Sequence, residues 1–381
     1  MAVEQALQDR RFERSTTEVK TGGIDAAVLQ YAESSTPDLI VVESSGTGED
    51  LVEKIDSLAD VCDPGTQVML LGNITDVAVY RALMQQGVSD CLIPPYDSKQ
   101  IFEVIETICA EPTERPLGRV ISFMGSKGGV GSSTMAHNVA WCLAEEFSDD
   151  VAVVDLDIAF GTLALAFNVE PQQGIADALV QPDRVDEMLL ERFMAKHGDH
   201  INLLIAPGSL DTESSIDIES FDVLLNLIRR TAPFVVIDIP HVWAPWTRHL
   251  LMGSDEIVVT STLDLAALRD TKILYDNLAP QRQNDAPMRI VVNHVGAYRK
   301  TELSIKDYES AIGIDPALAV VHDPVLFGTA SNNGQMVPEV NKRSKISEGL
   351  RTLALMVSNR EAPKKDSGGG GFSLFSKKRK E

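Results

Sequence analysis

The sequence contains no run of about 18 apolar residues, so it offers no candidate for a membrane-spanning helix. Its first ten residues include charged side chains and lack an apolar signal core, which places the chain in the cytoplasm by expectation. Cysteine is scarce: Cys62, Cys91, Cys109 and Cys142 are the four in 381 residues. Their wide spacing matches no metal-binding pattern, and all four are expected to be buried small apolar residues. Positive charge is also short. Against 56 Asp and Glu stand 34 Lys and Arg, for a net charge of −22. The deficit is −12 over residues 1–110 and −13 over 111–360, while 361–381 carry +3. A field of that sign repels phosphate backbones and disfavours nucleic acid as the main partner.

What remains is the composition of a soluble globular protein, 44% apolar and 24% charged. The length favours two or three domains. EPTERPLGR, residues 111–119, places two prolines and four charges between apolar segments and reads as a linker. It divides a first domain, 1–110, from a second, 120–360. KKDSGGGG then opens a flexible tail, 361–381, that ends in FSLFSKKRKE. No internal repeat is evident.

Both domains alternate apolar strand-like runs with amphipathic stretches. In the first these are DLIVVE, QVMLLG and DCLIPP; in the second RVISFMG, VAVVDLD, INLLIAP, FVVIDIP, EIVVTST, RIVVNHV and ALAVVHD. β-Branched runs of this kind suit strands covered on both faces. The fold class expected is α/β: a doubly wound, mostly parallel sheet preceded by a smaller α/β domain, with ligands at the carboxyl ends of the strands.

RVISFMGSKGGVGSSTMAHNVAWCL runs strand, glycine loop, helix. In that context Gly125, Gly128, Gly129 and Gly131 would let backbone N–H groups approach a phosphate, aided by the helix N-terminus near Ser132. Ser133 stands where a hydroxyl normally binds Mg²⁺. An ordinary glycine turn is the plainer alternative, and the whole-segment context weighs against it.

These residues resemble the MinD/ParA family of P-loop ATPases. The family's deviant loop, KGGVGKT followed by Ser or Thr, matches Lys127, Gly128, Gly129, Val130 and Gly131. It departs at Ser132, where a lysine is usual, and resumes at Ser133 and Thr134. The resemblance extends over roughly residues 118–360. It implies ATP and Mg²⁺ as cofactors, and an ATP sandwich homodimer in which Lys127 reaches the partner subunit's nucleotide. It further implies that Asp157 positions or activates the attacking water and that Asp238 lies near Mg²⁺ with Ser133. Asn293 would contact adenine, and the segment His322–Met336, with Pro324, would flank it. Taken singly, Asp155, Asp157 and Asp238 also suit helix caps or solvated strand ends, and Asn293 a capped loop. Losing the lysine at 132 implies slow or absent hydrolysis, with Lys127 compensating in part.

GSKGGVGSST followed by HNVAW, and later FGTASNNGQM, is similar to the CpaE/TadZ branch, which joins an atypical receiver domain to such an ATPase in Flp/Tad-type pilus assembly. The first domain agrees in outline and departs in detail. Glu43 stands where a receiver has its phospho-accepting aspartate, Gly72 replaces Ser/Thr, and Pro94 replaces a lysine. The stretch before Ser15 looks too short for a full first strand and helix. The reading is a pseudo-receiver that docks pilus components, with Glu43 a solvated acid as the simpler alternative. An active partition or placement ATPase of the same family is the second reading. An iron–sulfur reductase is set aside because this segment holds only Cys142. The basic tail suggests weak membrane contact, against a disordered solubilising end.

Overall fold

The computed structural model describes residues 2–360 apart from 8, 10, 11, 13, 14, 75, 110–115, 171, 172, 181, 207, 209–215 and 284. The basic tail and most of the predicted linker therefore lie outside the described residues. The chain divides into two compact units, Met1–Pro116 with Tyr275–Pro287, and Leu117–Leu274 with Met288–Glu381.

The smaller unit is built on a parallel three-stranded sheet in the order β1 (Leu39–Ser44), β2 (Gln67–Gly72), β3 (Asp90–Leu92). Side chains alternate across a strand, and here both faces are apolar. Ile40, Val42, Val68 and Leu70 pack with Leu51, Ile55, Leu58 and Leu83 of the helices on one side. Met69 and Leu71 pack with Ile101 and Ile105 on the other. Among the described residues no strand precedes β1; the upstream segment forms helices Ala2–Leu7 and Gly23–Tyr31. Glu43 is exposed near the carboxyl end of β1.

The larger unit holds an eight-stranded sheet. Its strands are β4 (Arg119–Gly125), β5 (Val151–Asp155), β6 (Ala195–His197), β7 (Ile201–Leu204), β8 (Phe234–Ile239), β9 (Glu256–Thr262), β10 (Arg289–Val295) and β11 (Leu318–Val321). The order is β11-β10-β9-β4-β8-β5-β7-β6, parallel throughout except for the β6–β7 pair. Strands β5 and β8 are buried along their whole length, as expected where helices cover both faces. Helix Ser132–Phe147 follows β4 at the centre and puts Met135, Ala136, Val139, Ala140 and Leu143 into the core at helical spacing. At the amino ends of the strands, buried Glu256 receives Arg119 at 2.8 Å and Arg289 at 3.0 Å. Both guanidiniums also donate to the last carbonyls of helix Lys345–Val357, Val357 O and Met356 O. The charge is thus paired where burial would otherwise penalise it.

The cysteines correct an expectation. Cys142 alone is buried; Cys62 and Cys91 are half-buried and Cys109 is exposed. Cys142 faces the core from the middle of a long helix, whereas Cys109 closes the last turn of helix Ser98–Cys109. Burial, with Asp90 beside it, pushes the Cys91 thiol up to about 11, which leaves it unreactive.

Candidate nucleotide site

The glycine loop leaves the central strand and enters the helix through Gly131, whose φ of 86° is left-handed. A side chain there would also meet Asn293 Nδ2 at 2.6 Å, so this position requires glycine on two counts. No side chain caps the helix. Its first N–H groups, from Ser132 onward, are left for another acceptor, at the positive end of the helix dipole. A Cβ at Gly128 or Gly129 would meet nothing within 4 Å, so the loop's crest is open to a bulky anion.

Ser132 Oγ is buried without a hydrogen-bond partner. An orphaned buried hydroxyl costs about 1–3 kcal/mol, which points to an acceptor or donor supplied from outside the chain. Lys127 turns away from the loop: its Nζ lies 2.7 Å from Asp264 Oδ2. Asp264 also accepts from Thr262 Oγ1 at 2.6 Å and from Ala267 N at 3.0 Å. Burial alone would raise this carboxyl, but the bonds from Lys127, Thr262 and Ala267 prevail and hold it near 2.

Two acids come together below the loop. Asp155 and Asp238 are register partners at the ends of β5 and β8, and both are buried. Burial first, and the neighbouring Asp238 second, raise Asp155 to about 6. Asp155 organises the next loop: Oδ1 accepts from Asp157 N at 3.0 Å and Oδ2 from Leu163 N at 3.2 Å. Gly161 packs so closely that a Cβ would lie 2.4 Å from Asp155 Oδ2. Asp157 lies just past the strand and accepts from Phe160 N at 3.0 Å. His137 Nε2 lies 3.5 Å from Asp238 Oδ2, with both side chains almost fully buried, yet the geometry leaves Nε2 without a hydrogen bond. The distance marks a charge neighbour rather than a bonded pair. His241 Nδ1 lies 3.0 Å from Gly125 O and anchors the start of the loop.

A cavity of about 440 Å³ opens beside the helix N-terminus, lined by Gly131, Thr134, Asn293, His294, Pro324 and Phe327 among others. Asn293 is buried, donating from Nδ2 to Val130 O at 2.9 Å and accepting His294 N–H at 2.8 Å. Pro324 opens helix Pro324–Asn333, which Asp323 caps by accepting from Leu326 N.

Comparison with known proteins agrees with this architecture. Residues 118–286 match the AAA domain family model. The septum site-determining protein MinD of Bacillus subtilis is 23% identical over 252 residues, 65% of this chain and 91% of that one. A ParA family ATPase from Chlorobium tepidum superposes with a TM-score of 0.57 at 23% identity, over 63% of this chain and 98% of that one. The larger unit has the fold of the MinD- and ParA-type ATPases. The pilus assembly protein CpaE from Caulobacter crescentus is 41% identical over 28% of this chain and 87% of that one, with a TM-score of 0.27.

Within the MinD/ParA-type unit, the fold separates the predicted residues into three places. Gly131, Thr134, Asn293 and Pro324 share the cavity, whereas Lys127, Gly128, Gly129, Val130, Ser132 and Ser133 do not line it. Asp157 and Asp238 flank Asp155 on the side of β5 and β8. Sequence reasoning did not single out His137, His241 or Asp264. His137 entered only as the first residue of HNVAW, and His241 carries no motif beyond its nearness to a strand end. Asp264 is 137 residues from Lys127, and only the folded sheet joins them.

Proposed function

We propose that the chain is an ATP-switched assembly and positioning factor of the CpaE/TadZ type, serving a Flp/Tad-type pilus secretion system. ATP with Mg²⁺ binds the glycine loop and brings two copies together, and hydrolysis is slow or absent. The observation that carries this reading is Ser132. Everything around it suits a phosphate site, from the open glycines to the uncapped helix. The side chain at 132, however, is a short orphaned hydroxyl rather than a cation.

The residues present suit Mg²⁺, which takes oxygen ligands. Ser133 supplies a hydroxyl and Asp238 a carboxylate beside a second buried acid. When bound, the ion would neutralise charge on the terminal phosphates. The loop's N–H groups orient the phosphates, Asp157 is the candidate to hold the attacking water, and Asn293 and Pro324 border the base. With no cation at 132, negative charge developing in the transition state loses a contact worth several kcal/mol. The smaller unit, read as a pseudo-receiver, would dock pilus components, since Glu43 lacks the partners of a phospho-acceptor.

A second reading, an active partition or placement ATPase of the same family, is favoured by the retention of Lys127 and Asp157. Phosphate release by wild type and Ser132→Lys separates the two. The first reading expects slow turnover in wild type and at least a tenfold rise in the variant. Wild-type turnover well above about 10 per second, with no gain in the variant, supports the second.

A further inference from the structure

Two histidines face each other where neighbouring strands end. His294 lies in β10, and His322 follows β11, its parallel partner. Their Nδ1 atoms are 3.4 Å apart, and the rings meet edge to face with centroids 5.5 Å apart. The backbone builds this approach. The ladder between β10 and β11 shifts register between Val292 and Val295. His294 has a φ of 56°, a region few residues other than glycine occupy. The His322 N–H donates to Val295 O at 2.8 Å, which fixes the stem of the second ring. Both histidines line the cavity of about 440 Å³.

Two imidazole nitrogens held at about 2.05 Å from one tetrahedral ion are about 3.4 Å apart. The pair thus already has the spacing of two ligands to a single ion. A ligating imidazole usually donates its other N–H to a carbonyl or carboxylate, which fixes the tautomer. Across this contact one Nδ1–H can donate to the other Nδ1, and a bound cation would take that proton's place between the two lone pairs. Burial, and then the second imidazole, lower the pKa of His294, which favours the neutral ring that a ligand must be.

We propose that His294 and His322 form a two-ligand site for a divalent cation of the zinc class. Water, or a group held in the cavity, completes the coordination. Among the described residues no cluster of three His, Cys, Asp or Glu side chains could hold an ion, so the proposed site draws on this pair alone among them. Imidazole suits zinc, copper and nickel, whereas Mg²⁺ demands oxygen; the site is therefore separate from the one at Ser133 and Asp238. It requires neither nucleotide nor a second copy, and stands whether or not the proposed function holds.

The test is a Co²⁺ titration of the full chain without nucleotide, in excess Mg²⁺, read by visible absorption. One Co²⁺ per chain is expected, displaced by Zn²⁺ and not by further Mg²⁺. His322→Ala removes an exposed ring and should weaken binding at least tenfold. His294→Asn keeps a residue that tolerates left-handed backbone and should do the same. His200→Ala, at the exposed contact with Asp150, should change nothing. No Co²⁺ signal at saturating metal, or undiminished binding in both His294→Asn and His322→Ala, would overturn the proposal.

Discussion

Lys127 and Ser132 stand five positions apart, Lys127 ahead of Gly128 and Gly129 and Ser132 where a phosphate loop usually has its lysine. The only lysine of the loop is bound to Asp264, and the position facing the helix start holds a hydroxyl without a partner. In the proposed dimer Lys127 must leave Asp264 to reach across the interface. That contact is partly exposed on both sides, so screening keeps its cost small. Lys127→Ala should therefore keep most ATP affinity, within about tenfold as read by calorimetry, and lose the ATP-dependent dimer in light scattering. A variant that dimerises like wild type would remove the lysine from the interface.

At the scale of elements, β5 and β8 end in Asp155 and Asp238, pressed together in register. Asp155 titrates near 6 in the fold, above the usual 3.8. A carboxyl raised in this way favours folding while protonated. Its contribution is fully present below about pH 4 and is lost as pH rises through 6, a swing of roughly 3 kcal/mol. Wild type should therefore lose thermal stability relative to Asp155→Asn as pH goes from 4 to 7 without nucleotide or metal. Parallel melting profiles for the two proteins would show that the acid pair is not coupled in this way.

The same elements show what a sequence can reveal. The runs at β4, β9 and β10 match their strands to the residue, and FVVIDIP passes the end of β8 by Pro240 alone, because these are apolar stretches rich in β-branched residues and largely buried. VAVVDLD and INLLIAP reach past β5 and β7, whose ladders stop at Asp155 and Leu204. β6 went unseen: Ala195–Lys196–His197 has no strand composition and pairs only as the short antiparallel edge of β7. The loop and its acids were legible because glycine spacing and strand-end carboxylates are local signals. Asn293's bond to Val130 spans 163 residues, and His294 meets His322 through a register shift; neither has a local signature.

At the scale of the whole molecule, the smaller unit carries a sheet with Glu43 at the end of β1 and Gly72 at the end of β2. A carboxylate one methylene longer than aspartate, with Pro94 where a receiver has its lysine, underlies the proposed pseudo-receiver reading. Incubation with acetyl phosphate should add no mass to the protein. A stable adduct lost in Glu43→Ala would make the unit a switch. In the described residues no helix is long and apolar enough to cross a membrane.

In the proposed function, ATP-dependent association joins the loop, the lysine and the acids. The direct measurement is the molar mass of the full chain in solution with ATP and Mg²⁺ against ADP and Mg²⁺. The account predicts a dimer with ATP and a monomer with ADP. Equal mass in both nucleotides would contradict it.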